Sequence, residues 1–126
     1  MAGAIEIIDS RYENFKFSLE DVVADNCSSV GFVVGAWHSP ETSVANLNIA
    51  LQLDGQTAET GNSDDILGDP WKALCAATRL AAKYGEPIKK GMYIMAGAAS
   101  AAAFIKPGQT VSASIESLGS ISFQVQ

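Results

Sequence analysis

The sequence predicts a β-rich α+β domain with one main helix. Several short segments alternate apolar and polar residues with period two, the pattern of half-buried strands. Only one segment, opening at Asp69-Pro70, carries the start signal and broad apolar stripe of a long helix. No repeat, low-complexity tract or linker interrupts the 126 residues, so a single domain spanning 1–126 is expected.

Ala4-Ile5-Glu6-Ile7-Ile8 places β-branched residues around one carboxylate and reads as a buried strand presenting Glu6 toward a cleft. Burying an ionised group costs several kcal/mol unless it is paired, roughly the scale at which a cation becomes necessary. Glu6 is therefore expected to meet a cationic side chain or a metal ion; the alternative is a strand-end glutamate turned to solvent. Ser10 to Phe17 reads as an irregular turn in which Tyr12, Phe15 and Phe17 anchor a loop on the core. Ser18 is a candidate N-cap, with Glu20 and Asp21 in the first turn where negative charge suits the helix dipole, so a short helix over Leu19–Ala24 follows. Asp25-Asn26-Cys27-Ser28-Ser29 ends it, either as a simple turn or as a polar loop that holds a ligand.

Val30 to Trp37 is β-branched, aromatic and bounded by glycine, and reads as a strand. His38 precedes Ser-Pro and is expected at the surface, since one imidazole without neighbouring ligands makes a poor zinc site. Leu47–Leu53 and Gln56–Gly61 flank Asp54-Gly55, the residue pair of a type I′ hairpin. From Asp69 the apolar stripe of Trp71, Leu74, Cys75, Thr78, Leu80 and Ala81 is expected to pack on the sheet, and Gly85 to close the helix. Met92-Tyr93-Ile94-Met95 reads as a further buried strand. Ala96 to Ala103 has small side chains throughout, which allows either a carboxylate held on backbone amides or close packing with no ligand. Thr110–Glu116 and Ser120–Val125 alternate cleanly and form a closing hairpin around Ser117-Leu118-Gly119.

The net charge of −6 and the sequence pI of about 4.5 argue against nucleic-acid binding, which needs a basic face. The longest apolar stretch, Met92 to Ile105, falls short of the roughly 20 residues that span a bilayer, so no membrane role is expected. Cys27 and Cys75 lie far apart in a chain without an N-terminal signal pattern; they are read as small buried hydrophobes in a reducing, cytoplasmic setting.

Glu6-Ile7-Ile8-Asp9-Ser10-Arg11-Tyr12-Glu13-Asn14-Phe15-Lys16-Phe17, Val22-Val23-Ala24-Asp25-Asn26-Cys27-Ser28-Ser29, Gly91 to Gly97 and Leu118 to Phe123 resemble the C-terminal half of the 4-oxalocrotonate decarboxylases. Those enzymes sit with the 2-keto-4-pentenoate hydratases in the fumarylacetoacetate hydrolase-like superfamily. The resemblance implies a mixed β-sandwich roll and a lyase of aromatic meta-cleavage catabolism that acts on a small 2-oxo acid or dicarboxylate. It also implies Mg²⁺ or Mn²⁺ as cofactor, polarising the 2-oxo group, with Glu6 as one ligand. Ser28 and Ser29 match catalytic positions, and Gly97 and Ser100 match substrate-binding ones; Ala96 departs from a hydroxyl residue usual at its position.

Relatives of this kind are about twice as long and carry a Glu-x-Glu pair that completes the metal site. None occurs in this chain. Three readings follow: a half-enzyme completed by a separate N-terminal half or by a hydratase partner chain; a module that binds a small oxo acid with no metal; or an assembly unit, most simply a homo-oligomer covering its own exposed apolar surface.

Overall fold

The computed structural model describes all residues, 1–126. Strand β1 (Ala2–Ile8) pairs antiparallel with β2 (Ser29–Trp37) to form a two-stranded sheet. A second, four-stranded antiparallel sheet has the order β4-β3-β5-β6, from β3 (Asn48–Leu53), β4 (Gln56–Asn62), β5 (Thr110–Ile115) and β6 (Gly119–Gln124). Helix α1 (Leu19–Ala24) lies between the strands of the first sheet, and α2 (Pro70–Lys83) follows β4. No helix is long and apolar enough to cross a membrane.

Local chemistry explains each element. Ser18 caps α1 in a reciprocal box with Asp21: the Asp21 N–H donates to Ser18 Oγ at 3.2 Å and the Ser18 N–H to Asp21 Oδ2 at 3.0 Å. Asp69 caps α2 through the Trp71 N–H at 2.8 Å, with Pro70 in the first turn. At the other end, Gly85 at positive φ lets its own N–H reach the Ala82 carbonyl and the Glu86 N–H reach that of Ala81. This two-bond closure satisfies the last carbonyls of the helix. Asp54 and Gly55 both take positive φ between the paired residues Leu53 and Gln56, as a type I′ turn requires.

The two sheets meet through glycine. A Cβ on Gly3 would lie 2.5 Å from Ile115 Cδ1, and one on Gly35 2.7 Å from Ile121 Cγ1. The inner face of β1–β2 thus rests on the isoleucines of β5 and β6, near the buried Val111, Ala113, Leu118 and Ile121. Strand β2 carries the extra residue at both register shifts of its pairing with β1, around Gly35-Ala36 and at Val30. Such bulges bend a strand and let the short sheet follow the larger one.

Four expectations change. Met92–Met95 is not a strand: it has no ladder partner, and all four side chains are exposed. Both flanks of the larger sheet end in β4 and β6, so no edge is extended by this segment, and Tyr93 instead lays its ring 5.9 Å from those of Phe32 and Trp37. The stripe of α2 packs on no sheet, since no α2 residue is buried. Cys27 and Cys75 are exposed rather than buried, the first on a left-handed turn and the second on the uncovered helix. The aromatic residues of the first loop pair with one another and with Phe104, Tyr12 against Phe17 and Phe15 against Phe104, instead of entering the core.

Candidate functional site

Glu6 stands opposite Phe32 in the β1–β2 register, so it shares the outer face of the small sheet with Phe32 and, two residues along β1, with Ile8. It is exposed and makes no side-chain hydrogen bond or ion pair; the ion pair of this structure is Arg11–Asp25. The expected burial of Glu6 is therefore corrected. Tyr93 reaches this face only at Phe32 and Trp37, so the Glu6 carboxylate keeps its water.

Beyond Glu6 the chain turns over a tightly bonded corner. The Asp25 side chain is 5% exposed and accepts from Arg11 Nε at 3.1 Å, from the Arg11 N–H at 3.2 Å and from Ser28 Oγ at 3.2 Å. Arg11 Nη1 also donates to the Asp9 and Asp25 carbonyls, and the Asp9 N–H to the Ser28 carbonyl at 2.8 Å. Asn26, Cys27 and Ser28 form a one-turn left-handed run at φ 53°, 53° and 59°. Each such residue is strained by its Cβ. The Asp25 network and the Asp9 bond hold that turn, so the corner fixes how β1 leaves and β2 enters.

Ser28 lies inside this corner, 3% exposed, with its proton committed to Asp25. Ser29, half-buried, opens β2 and pairs with Ile8. Gly97 takes φ +124°, a conformation that favours glycine, and Ser100 Oγ donates to the neighbouring Ala101 carbonyl at 3.1 Å. The small-residue segment passes directly over β4: a Cβ on Gly61 would lie 1.7 Å from the Ala99 carbonyl oxygen and 3.2 Å from Ser100 Cα. Residues 92–103 thus bridge the sheets, with Tyr93 on the outer face of the first and Ala99 on β4 of the second.

Sequence reasoning missed Asp25 and Gly61. Asp25 looked like any acidic turn residue, because its partner lies 14 residues away in Arg11. Gly61 carried a weak signal, a glycine at the end of an otherwise side-chain-bearing strand. Ser28 and Ser29 adjoin the corner below Glu6, whereas no hydrogen bond joins Gly97 or Ser100 to any of them. Two open concavities meet around Asn48 and Ser114 on the larger sheet; Gly61 lines one of them, and neither includes Glu6, Asp25, Ser28, Ser29, Gly97 or Ser100.

The first turn of α1 is acidic and well solvated. Asp21 is held below its ordinary carboxylate value by the Ser18 backbone N–H and then by the Ser18 side chain. Partial desolvation, then the charge of Asp21, raises the Tyr12 phenol. No three His, Cys, Asp or Glu side chains gather closely enough to hold a metal ion. Glu6 offers one hard oxygen ligand, and this chain alone does not complete a site of the kind divalent cations need.

Residues 9–126 match the fumarylacetoacetate (FAA) hydrolase C-terminal model. The chain belongs to that family. It is 57% identical over 123 residues to a 4-oxalocrotonate decarboxylase of Pseudomonas sp., covering 98% of this chain and 48% of the relative. It is 31% identical over 126 residues to a 2-hydroxyhexa-2,4-dienoate hydratase of Comamonas testosteroni, again covering 98% of this chain and 48% of the relative. The structure of 4-oxalocrotonate decarboxylase from Pseudomonas putida G7, complexed with magnesium and adipate, superposes with a TM-score of 0.92 at 35% identity over 99% of this chain and 48% of that one. The expected fumarylacetoacetate hydrolase-like fold is therefore observed. The chain spans about half the length of the relatives it matches, and it stands nearer in sequence to the decarboxylase than to the hydratase.

Proposed function

We propose that this chain is the Glu6-bearing half of a divalent-metal-dependent 2-oxo acid decarboxylase of the 4-oxalocrotonate type. The observation that carries the reading is Glu6 itself, an unpaired carboxylate held outward on β1 beside the Asp25-braced corner, in a chain whose fold superposes on a magnesium-bound decarboxylase. Mg²⁺ or Mn²⁺ would take Glu6 as one oxygen ligand and its remaining ligands from outside this chain, because hard cations need several oxygens. The substrate is a small 2-oxo dicarboxylate. Ser29 and the backbone of Gly97 to Ser100 are the groups proposed to orient it. Ser28 acts through Asp25 by holding the corner, since its hydroxyl proton is already spent there.

The test is to join this chain to the N-terminal part of the Pseudomonas sp. decarboxylase that it does not match. Release of carbon dioxide from 4-oxalocrotonate is measured together with Mg²⁺ affinity by calorimetry. The joined protein is expected to decarboxylate, and Glu6→Gln to weaken metal binding by at least about tenfold. Full metal affinity in Glu6→Gln would overturn the role of Glu6. The hydratase reading is favoured only if the joined protein adds water to 2-keto-4-pentenoate faster than it releases carbon dioxide.

A further inference from the structure

The carboxylate of Glu6 stands in an aromatic setting that metal binding does not use. Glu6 pairs with Phe32 across the β1–β2 ladder, and cross-strand partners on one face carry their Cβ atoms about 4.5–5.5 Å apart. The next rows along the same face pair Ala4 with Val34 and Ala2 with Trp37. Tyr93 lays its ring 5.9 Å from those of Phe32 and Trp37, at tilts of 43° and 45°, and so spans the row between them. Phe32 is 47% exposed and Tyr93 62%, so both rings keep an open surface after meeting each other. Four residues beyond Tyr93 the same segment reaches Gly97 and then Ser100, the groups proposed to orient the substrate.

We infer that Phe32 and Tyr93 form the wall that receives the unsaturated chain of the substrate, and that they select a planar conjugated chain over a flexible saturated one. The inference rests on the functional reading above and adds to it the residues that read the carbons between the substrate's two acid ends. The chain of a 2-oxo acid held at Glu6 starts beside Phe32, because the two side chains are neighbours on one face. Those carbons bear no charge and gain by leaving water. An aromatic face adds a directional preference, since flat π-systems pack offset or edge-on against one another. A conjugated chain is flat and extended before it binds, whereas a saturated chain of the same length must freeze its torsions. Contact with Trp37 braces Tyr93, so the wall is oriented before the ligand arrives.

Calorimetry on the joined protein described above, with Mg²⁺ in excess, compares two inert dicarboxylates of equal length and charge. One is trans,trans-hexa-2,4-dienedioate, flat and conjugated; the other is adipate, saturated and flexible. The dienedioate is expected to bind more tightly, and Phe32→Leu and Tyr93→Leu each to weaken it by at least about threefold while adipate changes less. Tyr93→Phe should keep the wild-type preference, and all three variants should keep the Mg²⁺ affinity and the circular dichroism melt of wild type. Equal binding of the two ligands by wild type overturns the inference, as does binding of neither. A preference that survives both leucines, or a loss that adipate shares equally, overturns it too. A preference that depends on both rings in a protein that releases no carbon dioxide supports the wall and removes the decarboxylase reading. Carbon dioxide release that needs Glu6, in a protein whose leucine variants keep the preference, does the reverse.

Discussion

Asp21 shows how a single side chain ties stability to pH. Its carboxyl titrates below the ordinary value of 3.8 because the Ser18 N–H, and then the Ser18 side chain, favour the charged form. The folded state therefore binds that proton less readily than the unfolded chain. Its contribution is fully present above the ordinary value and disappears as pH falls through the lower folded one. Asp21→Asn should lower the melting temperature at neutral pH, and by progressively less as pH falls below the ordinary carboxylate value. A loss that does not shrink with falling pH, read by circular dichroism, would show that packing rather than charge is responsible. Ser18→Ala removes the other half of the box and should cost about 1 kcal/mol in denaturant titration. Asp25 is the more consequential residue, since its carboxylate is 5% exposed and serves Arg11 and Ser28 together. Asp25→Ala strands the buried Ser28 hydroxyl and releases three left-handed residues, so a loss of about 2 kcal/mol or more is expected. A variant as stable as wild type would show that the left-handed turn holds itself.

Among the elements, the segment 92–103 depends on one neighbour. Gly61 on β4 has no room for a methyl group, because the Ala99 carbonyl occupies that space, and the obstacle is backbone rather than a flexible side-chain end. Gly61→Ala should therefore push the segment off β4, at a cost of about 1–3 kcal/mol in denaturant titration. Unchanged stability would mean that the segment makes no close contact with β4. Gly3 presents a milder case, since its nearest obstacle is the Cδ1 end of Ile115, which can rotate. Helix α2 has sound caps at both ends and no buried residue, so it is specified locally and supported little by the rest of the chain. Isolated helices of about this length are marginal in water. Amides of α2 should exchange faster than those of β3 and β5, which are paired on both sides.

For the molecule as a whole, the imbalance is between a small core and a large apolar surface. Five apolar residues are buried, while Trp37, Trp71, Tyr84, Tyr93 and Phe104 remain exposed. The chain should bind the hydrophobic dye ANS while keeping native circular dichroism. No dye binding by the isolated chain would mean that the apolar faces are closed already.

The sequence by itself determined what short-range chemistry controls. Ser18, Asp69-Pro70 and Gly85 mark helix ends, Asp54-Gly55 marks a hairpin, and the alternation of Thr110 to Val125 marks two strands, because caps, turns and side-chain period act within a few residues. It also carried the family, through the run from Glu6 to Phe17, and the candidate ligand Glu6. Only the tertiary structure decided which faces are covered. Met92–Met95 and the α2 stripe have the composition of buried elements, yet burial depends on a partner surface that apolar pattern alone cannot supply. The same holds for Glu6, whose flanking residues suggested burial while the open outer face leaves it in water, and for Asp25 and Gly61, whose roles exist only once Arg11 and Ala99 are brought beside them.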